Sequence, residues 1–369
     1  MQATWRLLGT AGFSPASVAL EGTSFAIAPD GTEYVAYGGT VQRYFSADGL
    51  NKKWTVYGQK LFESICLEPS GCFPDIMSLA FDKTQAFPTY FGAFVAYSDK
   101  NANFKATVKV YDLRSGSFSS IVQPGFSVGT ASYLSMAIGV VNSKGTIFVV
   151  YSDSANGGRA TCSKYVEGSS TWTIVGGAGF SAGQVGYTPI ALDSAGTPYV
   201  ALAEADGKAN VQKLVGGTWT VVGNAGFSAG EARSLSLALD STGTPWVAYS
   251  DGGNGYRATV QKLVSEGGGW TVVGNAGFSA GPAGYTSLAL DSTGTPFVAY
   301  SDSNAGSKAT VQKLVSGTWT VVGNAGFSAG VAIWACLALD KNGIPRVAYS
   351  DDPYSYTANS GKATVQYYS

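Results

Sequence analysis

The chain has 369 residues, with 23 Lys and Arg against 24 Asp and Glu, so its net charge of −1 offers no basic field to gather nucleic acid or anionic lipid. It contains no His, the commonest ligand for zinc, copper and non-haem iron, and its 4 Cys are too few and too scattered for a four-thiolate centre. No stretch reaches the ~20 consecutive apolar residues of a membrane-spanning helix, and the 49 Gly fall at turns rather than in a low-complexity tract.

Trp5 stands within a few residues of Met1, where a signal peptide would carry its apolar run, so no leader is expected. The Trp-Thr-Val-Val-Gly-like phrase that opens there returns at Trp54, Trp172, Trp219, Trp270 and Trp319, with Phe118 filling one gap. Its spacings run from 47 residues (Trp172 to Trp219) to 64 (Trp54 to Phe118). A period in this range marks a repeat architecture. In the first insertion, Cys66 and Cys72 flank Leu-Glu-Pro-Ser-Gly, a spacing that could close a small disulfide loop and, if closed, favours an oxidising, extracellular compartment. The chain has no N-glycosylation sequon. The second unit carries a long turn, residues 82–94, with Phe87, Tyr90 and Phe91, and the seventh carries Tyr354 and Tyr356 in residues 351–362. Two readings of these loop aromatics stand: a contact surface for a protein partner, or cover folded back over a central channel. Cys162 and Cys336 fall inside predicted strands, where a buried thiol behaves as a small hydrophobe.

The unit from Leu235 to Gly274 shows the repeat most plainly. Ser-Leu-Ala-Leu-Asp and Trp-Val-Ala-Tyr-Ser-Asp alternate large and small residues, the period-2 signal of half-buried strands. Between them, Asp240-Ser-Thr-Gly-Thr-Pro245 is a hairpin turn, with Gly243 supplying a positive φ and Pro245 opening the next strand. A third run begins at Arg257 and a fourth at Trp270, each after a short link, whereas the Asn-Ala-Gly-Phe-Ser-Ala-Gly link to the next unit is long. Four short strands per unit and seven units predict an all-β fold. The expected form is a seven-bladed β-propeller of four-stranded antiparallel blades, one domain over residues 1–369. The last unit supplies only three strands, so residues 4–9 should complete it and close the ring, removing an exposed sheet edge.

In architecture this pattern resembles WD-repeat, kelch and NHL-type propellers, and Asp-x-x-Gly-x-Pro-x-Val-Ala from Asp291 to Ala299 resembles the strand-turn-strand phrase of NHL-like repeats. The Trp-Asp and di-glycine signatures of the first two are not reproduced, nor is the Asp-box of sialidases. The resemblance therefore implies a fold and no active residues.

Several motifs imitate chemistry. Gly-x-Ser-x-Gly, the nucleophile-elbow pattern, occurs five times, around Ser127, Ser181, Ser228, Ser279 and Ser328. An elbow needs a strand-to-helix turn and a His to take the serine proton, so five copies in a chain without His read as structural inter-blade loops. Gly177 to Ala182 fits the dinucleotide fingerprint but lacks its βαβ setting. The Asp-rich turns do not cluster carboxylates as a calcium loop does, and no cofactor is expected.

Two patterns point toward binding. The second strand of a unit ends in Asp99, Asp153, Glu204, Asp251, Asp302 or Asp351, and the third begins near Lys105, Arg159, Lys208, Arg257, Lys308 or Lys362. These are either structural, as cross-hairpin ion pairs or Asp side chains accepting amides of the Gly-Phe-Ser loop, or a ring of polar sites able to bond sugar hydroxyls. Just before each inner strand stands a variable residue: Gly22, Ile76, Tyr133, Tyr187, Ser234, Tyr285 or Trp334. Its four aromatics form either a stacking surface for a sugar ring or a plug in the channel mouth. The leading reading is a non-enzymatic, lectin-like propeller that binds a glycan through Tyr133, Tyr187, Tyr285, Trp334, Asp153, Asp251, Asp302, Asp351, Arg159 and Arg257. Its rivals are a protein-interaction subunit and an enzyme with a His-free site in the central funnel.

Overall fold

The computed structural model describes residues 3–14, 22–37, 40–45, 52–56, 77–82, 87, 92–112, 117–265, 268–351 and 361–369. Seven antiparallel sheets of four strands each stand around a closed ring, and the chain is a seven-bladed β-propeller. The inner strands of blades 1 to 7 are Ser24–Ile27, Ser78–Phe81, Ala131–Val141, Ile190–Leu192, Ala232–Leu239, Ala283–Leu290 and Ala332–Leu339. Cys66, Cys72, Ile76, Tyr90, Phe91, Tyr354 and Tyr356 lie outside the described residues.

Blade 5 shows how sequence becomes sheet. Its strands are Ala232–Leu239, Pro245–Asp251, Arg257–Leu263 and Trp270–Val272, running from the axis outward. The Asp240 carboxylate accepts the amides of Thr242 and Thr244 at 2.9 and 3.0 Å, and Gly243 supplies a φ of +85°. That turn sets the register Leu239↔Pro245 and Leu237↔Val247. The second strand departs from the half-buried expectation, since all seven residues of Pro245–Asp251 are buried. Each middle strand is covered on both faces by neighbouring blades, so its large-and-small alternation serves packing between sheets rather than a boundary with water.

The ring closes with the two chain ends in one sheet. Trp5–Leu7 pairs with Lys362–Tyr368 in the register Trp5↔Tyr368 and Leu7↔Gln366, as the missing fourth strand required. Two repeated devices lace blade to blade. On the outside, each of the six Trp of the repeated phrase stacks on the Phe of the loop entering its own blade and donates its indole N–H to the preceding blade's edge. Trp270 stacks on Phe227 at 4.2 Å and bonds Val222 O at 3.0 Å, and Trp5 stacks on Phe327 at 3.9 Å and bonds Val322 O at 2.7 Å. On the inside, Ser24, Ser78, Ser135, Ser236 and Ser287 each accept an amide from the next inner strand, at 2.9 to 3.3 Å. Cys336 takes that place in blade 7, its thiol donating to Thr23 O in blade 1. Burial pushes the Cys336 thiol up to about 12, so it stays protonated at neutral pH.

Phe87 corrects one expectation. It is 1% exposed, packed at 5.6 Å from Phe94 and 6.4 Å from Tyr165, with its amide bonded to Asp82. Its ring fills the seam between blades 2 and 3 and offers no surface to a partner, because an aromatic this large is most stable where two sheets can cover both faces.

Candidate functional site

Inner strands begin, second strands end and Gly-Phe-Ser loops arrive on one face of the ring. Each loop is held from within. Ser228 is 2% exposed, donates to Gly230 O at 2.6 Å and accepts the Ala209 amide at 3.0 Å. The same pair of bonds recurs at Ser127, Ser181, Ser279 and Ser328. With both lone-pair and proton committed to backbone, these hydroxyls are loop fasteners, and the Gly-x-Ser-x-Gly pattern is architecture.

The Asp-ended strands are fasteners of a second kind. Asp153, Asp251 and Asp302 are at most 1% exposed, and each caps a short 3₁₀ turn by accepting the amide of Ala155, Gly253 or Asn304. The second oxygen of Asp153 accepts from Asn156 and Thr161 at 2.7 and 3.1 Å, and that of Asp251 from Asn254 at 2.7 Å. Asp251 also takes the Gly230 amide of the entering loop, and Glu204 takes that of Ala182. Asp351 is likewise buried and accepts from Thr364 at 3.3 Å. Arg159 and Arg257 stand opposite Asp153 and Asp251 in the ladder and are exposed. Among the described residues no salt bridge joins either pair.

The rim aromatics come together differently. Tyr133 and Tyr187 lie 5.9 Å apart and Tyr285 and Trp334 4.9 Å apart, in two tilted pairs of half-buried rings. Ser234 separates the pairs in chain order, and its hydroxyl accepts the Tyr285 amide at 3.1 Å. Sequence reasoning missed the backbone that carries them. Tyr133, Ser234, Tyr285 and Trp334 have φ between 50° and 54°, each inside a β-bulge of the inner strand. Gly22, at the same register with φ 68°, was the signal. Tyr187 is not left-handed: Pro189 stands where pairing resumes in other blades, and the strand of blade 4 starts only at Ile190. Thr188 donates its hydroxyl to Tyr133 O, and Thr286 to Ser234 O, fixing the rim across two seams.

At the opposite end of the channel a cavity of about 580 Å³ is lined by Phe25, Ile27, Leu79, Phe81, Leu290 and Leu339, with Asp340 and Lys341 at its edge. Asp340 is already bonded by Arg346 at 3.1 Å, and Arg346 also reaches Glu33 of blade 1. No cluster of three or more Cys, Asp or Glu is placed to hold a metal ion among the described residues, and none of their helices is long and apolar enough to cross a membrane.

No family model matches the chain, and no curated protein does. Solved structures do. The chain is similar to a fungal alcohol oxidase in complex with copper (15% identity, TM-score 0.60, 98% of this chain and 76% of that one). It is also similar to the extracellular domain of a hybrid two-component system from B. thetaiotaomicron (12% identity, TM-score 0.57), covering 99% of this chain but spanning only 40% of that domain's length. A third similar structure is the Aleuria aurantia lectin in complex with Fucα1-6GlcNAc (19% identity, TM-score 0.51, 87% of this chain and 100% of that one). At these identities the likeness is one of fold, shared by proteins of different function.

Proposed function

We propose that this propeller is a non-enzymatic glycan-binding protein, lectin-like in function, whose ligand lies on the rim formed by Tyr133, Tyr187, Tyr285 and Trp334. One observation carries the reading. Four aromatic side chains stand half-buried at a single register, three of them on left-handed backbone, where a residue other than Gly costs about 1–2 kcal/mol. Gly22 and Ser234 occupy that register without a ring, so the fold does not require one. Strain kept where Gly, as at Gly22, would relieve it points to use. Stacking on a ring face suits the apolar face of a pyranose. The buried Asp251 holds the loop that enters its blade, Asp153 and Asp302 cap the turns beside the rim and Asp351 is buried at the same register, while exposed Arg159 and Arg257 remain available to hydroxyls at its periphery. That one similar fold is a lectin solved with a saccharide is in keeping with this use.

The test is a glycan array probed with the whole chain and with Tyr285→Ala. Binding by the chain, weakened about tenfold in the variant as expected for one lost stacked ring, supports the proposal. An array on which nothing binds, or binding indifferent to Tyr285, Tyr133 and Trp334 alike, overturns it.

A further inference from the structure

The five loops that enter blades 3 to 7 are equal in length, so their residues compare directly. At the register of Glu231 stand Thr130, Gln184, Pro282 and Val331, and at that of Arg233 stand Ser132, Gly186, Gly284 and Ile333. Among these five blades only blade 5 places charge at both positions, and in the same loop Ser234 replaces the aromatic that the other four carry. From blade 3 to blade 7 the run of rim aromatics is thus interrupted at the one blade where a charged pair of opposite sign appears.

The pair is organised. Arg233 donates Nε and Nη2 to the two oxygens of Glu231, both at 2.8 Å, a bidentate fork. Tyr256, at the start of the third strand, donates its hydroxyl to Glu231 at 2.8 Å, and the Arg233 guanidinium lies 4.5 Å from the centre of the Tyr256 ring. The Glu231 and Arg233 side chains are 44% and 56% exposed, so an exposed ion pair has been given a fixed geometry without being buried. Exposed pairs contribute little to stability, so the ordering of three side chains here is poorly explained by folding alone. The inner strand of blade 5 packs against that of blade 4, whose loop carries Tyr187 of the Tyr133–Tyr187 pair. On the other side, the Tyr285 amide bonded to Ser234 places the Tyr285–Trp334 pair against the same gap.

We infer that blade 5 is the polar subsite of the rim: a neutral, hydroxyl-rich sugar ring seats over Ser234 between the two aromatic pairs, with a vicinal diol held by Glu231 and Arg233. The inference rests on the glycan reading above and deepens it. A diol suits a pre-formed carboxylate–guanidinium pair, because one hydroxyl donates to a remaining lone pair of Glu231 while its neighbour accepts from an unused N–H of Arg233. An acidic sugar does not, since its carboxylate would face that of Glu231 and would have to displace it from Arg233. Tyr256 stacking holds the guanidinium plane in place.

The experiment titrates the whole chain by calorimetry with the methyl glycosides of galactose, mannose, glucose and fucose, and with methyl glucuronide. The variants are Arg233→Ser, Glu231→Gln and Ser234→Tyr, each introducing a residue that already stands at that register in another blade; a thermal melt checks the fold. The expected result is that the best neutral glycoside loses at least about tenfold in affinity in Arg233→Ser, the loss of one hydrogen bond to a charged group. Ser234→Tyr should lose as much by filling the gap, and glucuronide should bind more weakly than glucoside. Unchanged affinity in Ser234→Tyr and Arg233→Ser, alongside weakened binding in Tyr285→Ala, overturns the blade 5 assignment and leaves the rim reading standing. Glucuronide binding tighter than every neutral glycoside overturns the choice of a neutral ligand. Failure of the unaltered chain to bind any of them while it binds the array overturns the blade 5 seat alone, and failure on both overturns both readings.

Discussion

Within each entering loop, two neighbouring stretches obey opposite rules. Gly226–Gly230 and its counterparts are nearly invariant from blade to blade, and their Ser is buried with both hydrogen-bonding roles filled by backbone. Of the next four residues, Glu231 to Ser234 in blade 5, the buried Ala232 recurs as Ala131, Ala283 and Ala332, while the other three vary among blades and include left-handed positions occupied by Tyr, Ser and Trp. The first stretch answers to the ring, which asks the same of every blade. On the proposed reading the second answers to a ligand on the face, which asks something different of each. Repetition inside one chain therefore separates structure from use, since a residue needed by the fold recurs and one needed by a ligand need not.

The comparison breaks first if the ring does not depend on its repeated parts. Deleting residues 4–9 removes the outer strand of blade 7 together with the Trp5 stack on Phe327 and the indole bond to Val322. The expected loss exceeds the ~3–5 kcal/mol of a single large aromatic truncation, and the exposed edge should drive association. An unchanged melting temperature with monomeric elution would show that closure does not stabilise the ring. A smaller effect is expected for Ser228→Ala, which strands the Ala209 amide and the Gly230 carbonyl, at about 1–3 kcal/mol for each group left unpaired. Urea denaturation measures it, and a hydrolase activity that vanished in this variant with the fold intact would instead make Ser228 chemical.

The ring, its blade count and its closure were legible because they are encoded by repetition: Trp270, Phe227 and Asp240 each mean little alone and much at a fixed period. The identity of the outer and inner faces followed from counting strands. What stayed hidden was long-range or conformational. Ser236 gave no sign that its hydroxyl reaches the Leu288 amide of the next blade, and Phe87, a loop aromatic by position, turned out to be core. Asp251 and Arg257 were legible as a recurring acid–base pair, yet the acid caps a turn and joins no salt bridge with the Arg. The left-handed rim was signalled only by Gly22, and a φ angle is not written in residue type where Tyr and Trp adopt it against their preference.

At the variable stretch the effects on stability should be smaller and should differ in size between two substitutions. Tyr285→Ala loses the contact with Trp334, about 0.5–1.5 kcal/mol beyond area burial, and keeps the left-handed strain. Tyr285→Gly loses the same ring but relieves the backbone, so it should be more stable than the Ala variant by about 1 kcal/mol, while both bind sugar equally poorly. Equal stability of the two variants would mean that φ 53° costs nothing at this bulge, and the argument from strain would fail.

The smallest expected effect sets a repeated carboxylate against an exceptional one. Partial burial alone would raise the Asp240 carboxyl, but hydrogen bonds from Thr242, Trp246 and Thr244 outweigh it and hold the group below its ordinary 3.8; Asp291 is lowered in the same way by Thr293 and Thr295. A carboxyl depressed in the folded state contributes stability that is present above 3.8 and lost as pH falls through the lower folded value. Glu33, at the seam between blades 7 and 1, is raised above 4.5 by burial, which the Arg346 guanidinium only partly offsets. The sign is opposite there: the folded chain binds the proton more tightly, so stability rises as pH falls through the Glu33 value toward 4.5. Denaturation midpoints taken in small pH steps should therefore climb slightly on acidification above 4.5 and fall below 3.8. In Glu33→Gln the climb should disappear and the acid fall remain, while Asp240→Asn should keep the climb and lessen the fall, to which Asp291 still contributes. A climb that survived in Glu33→Gln would assign it to another buried group.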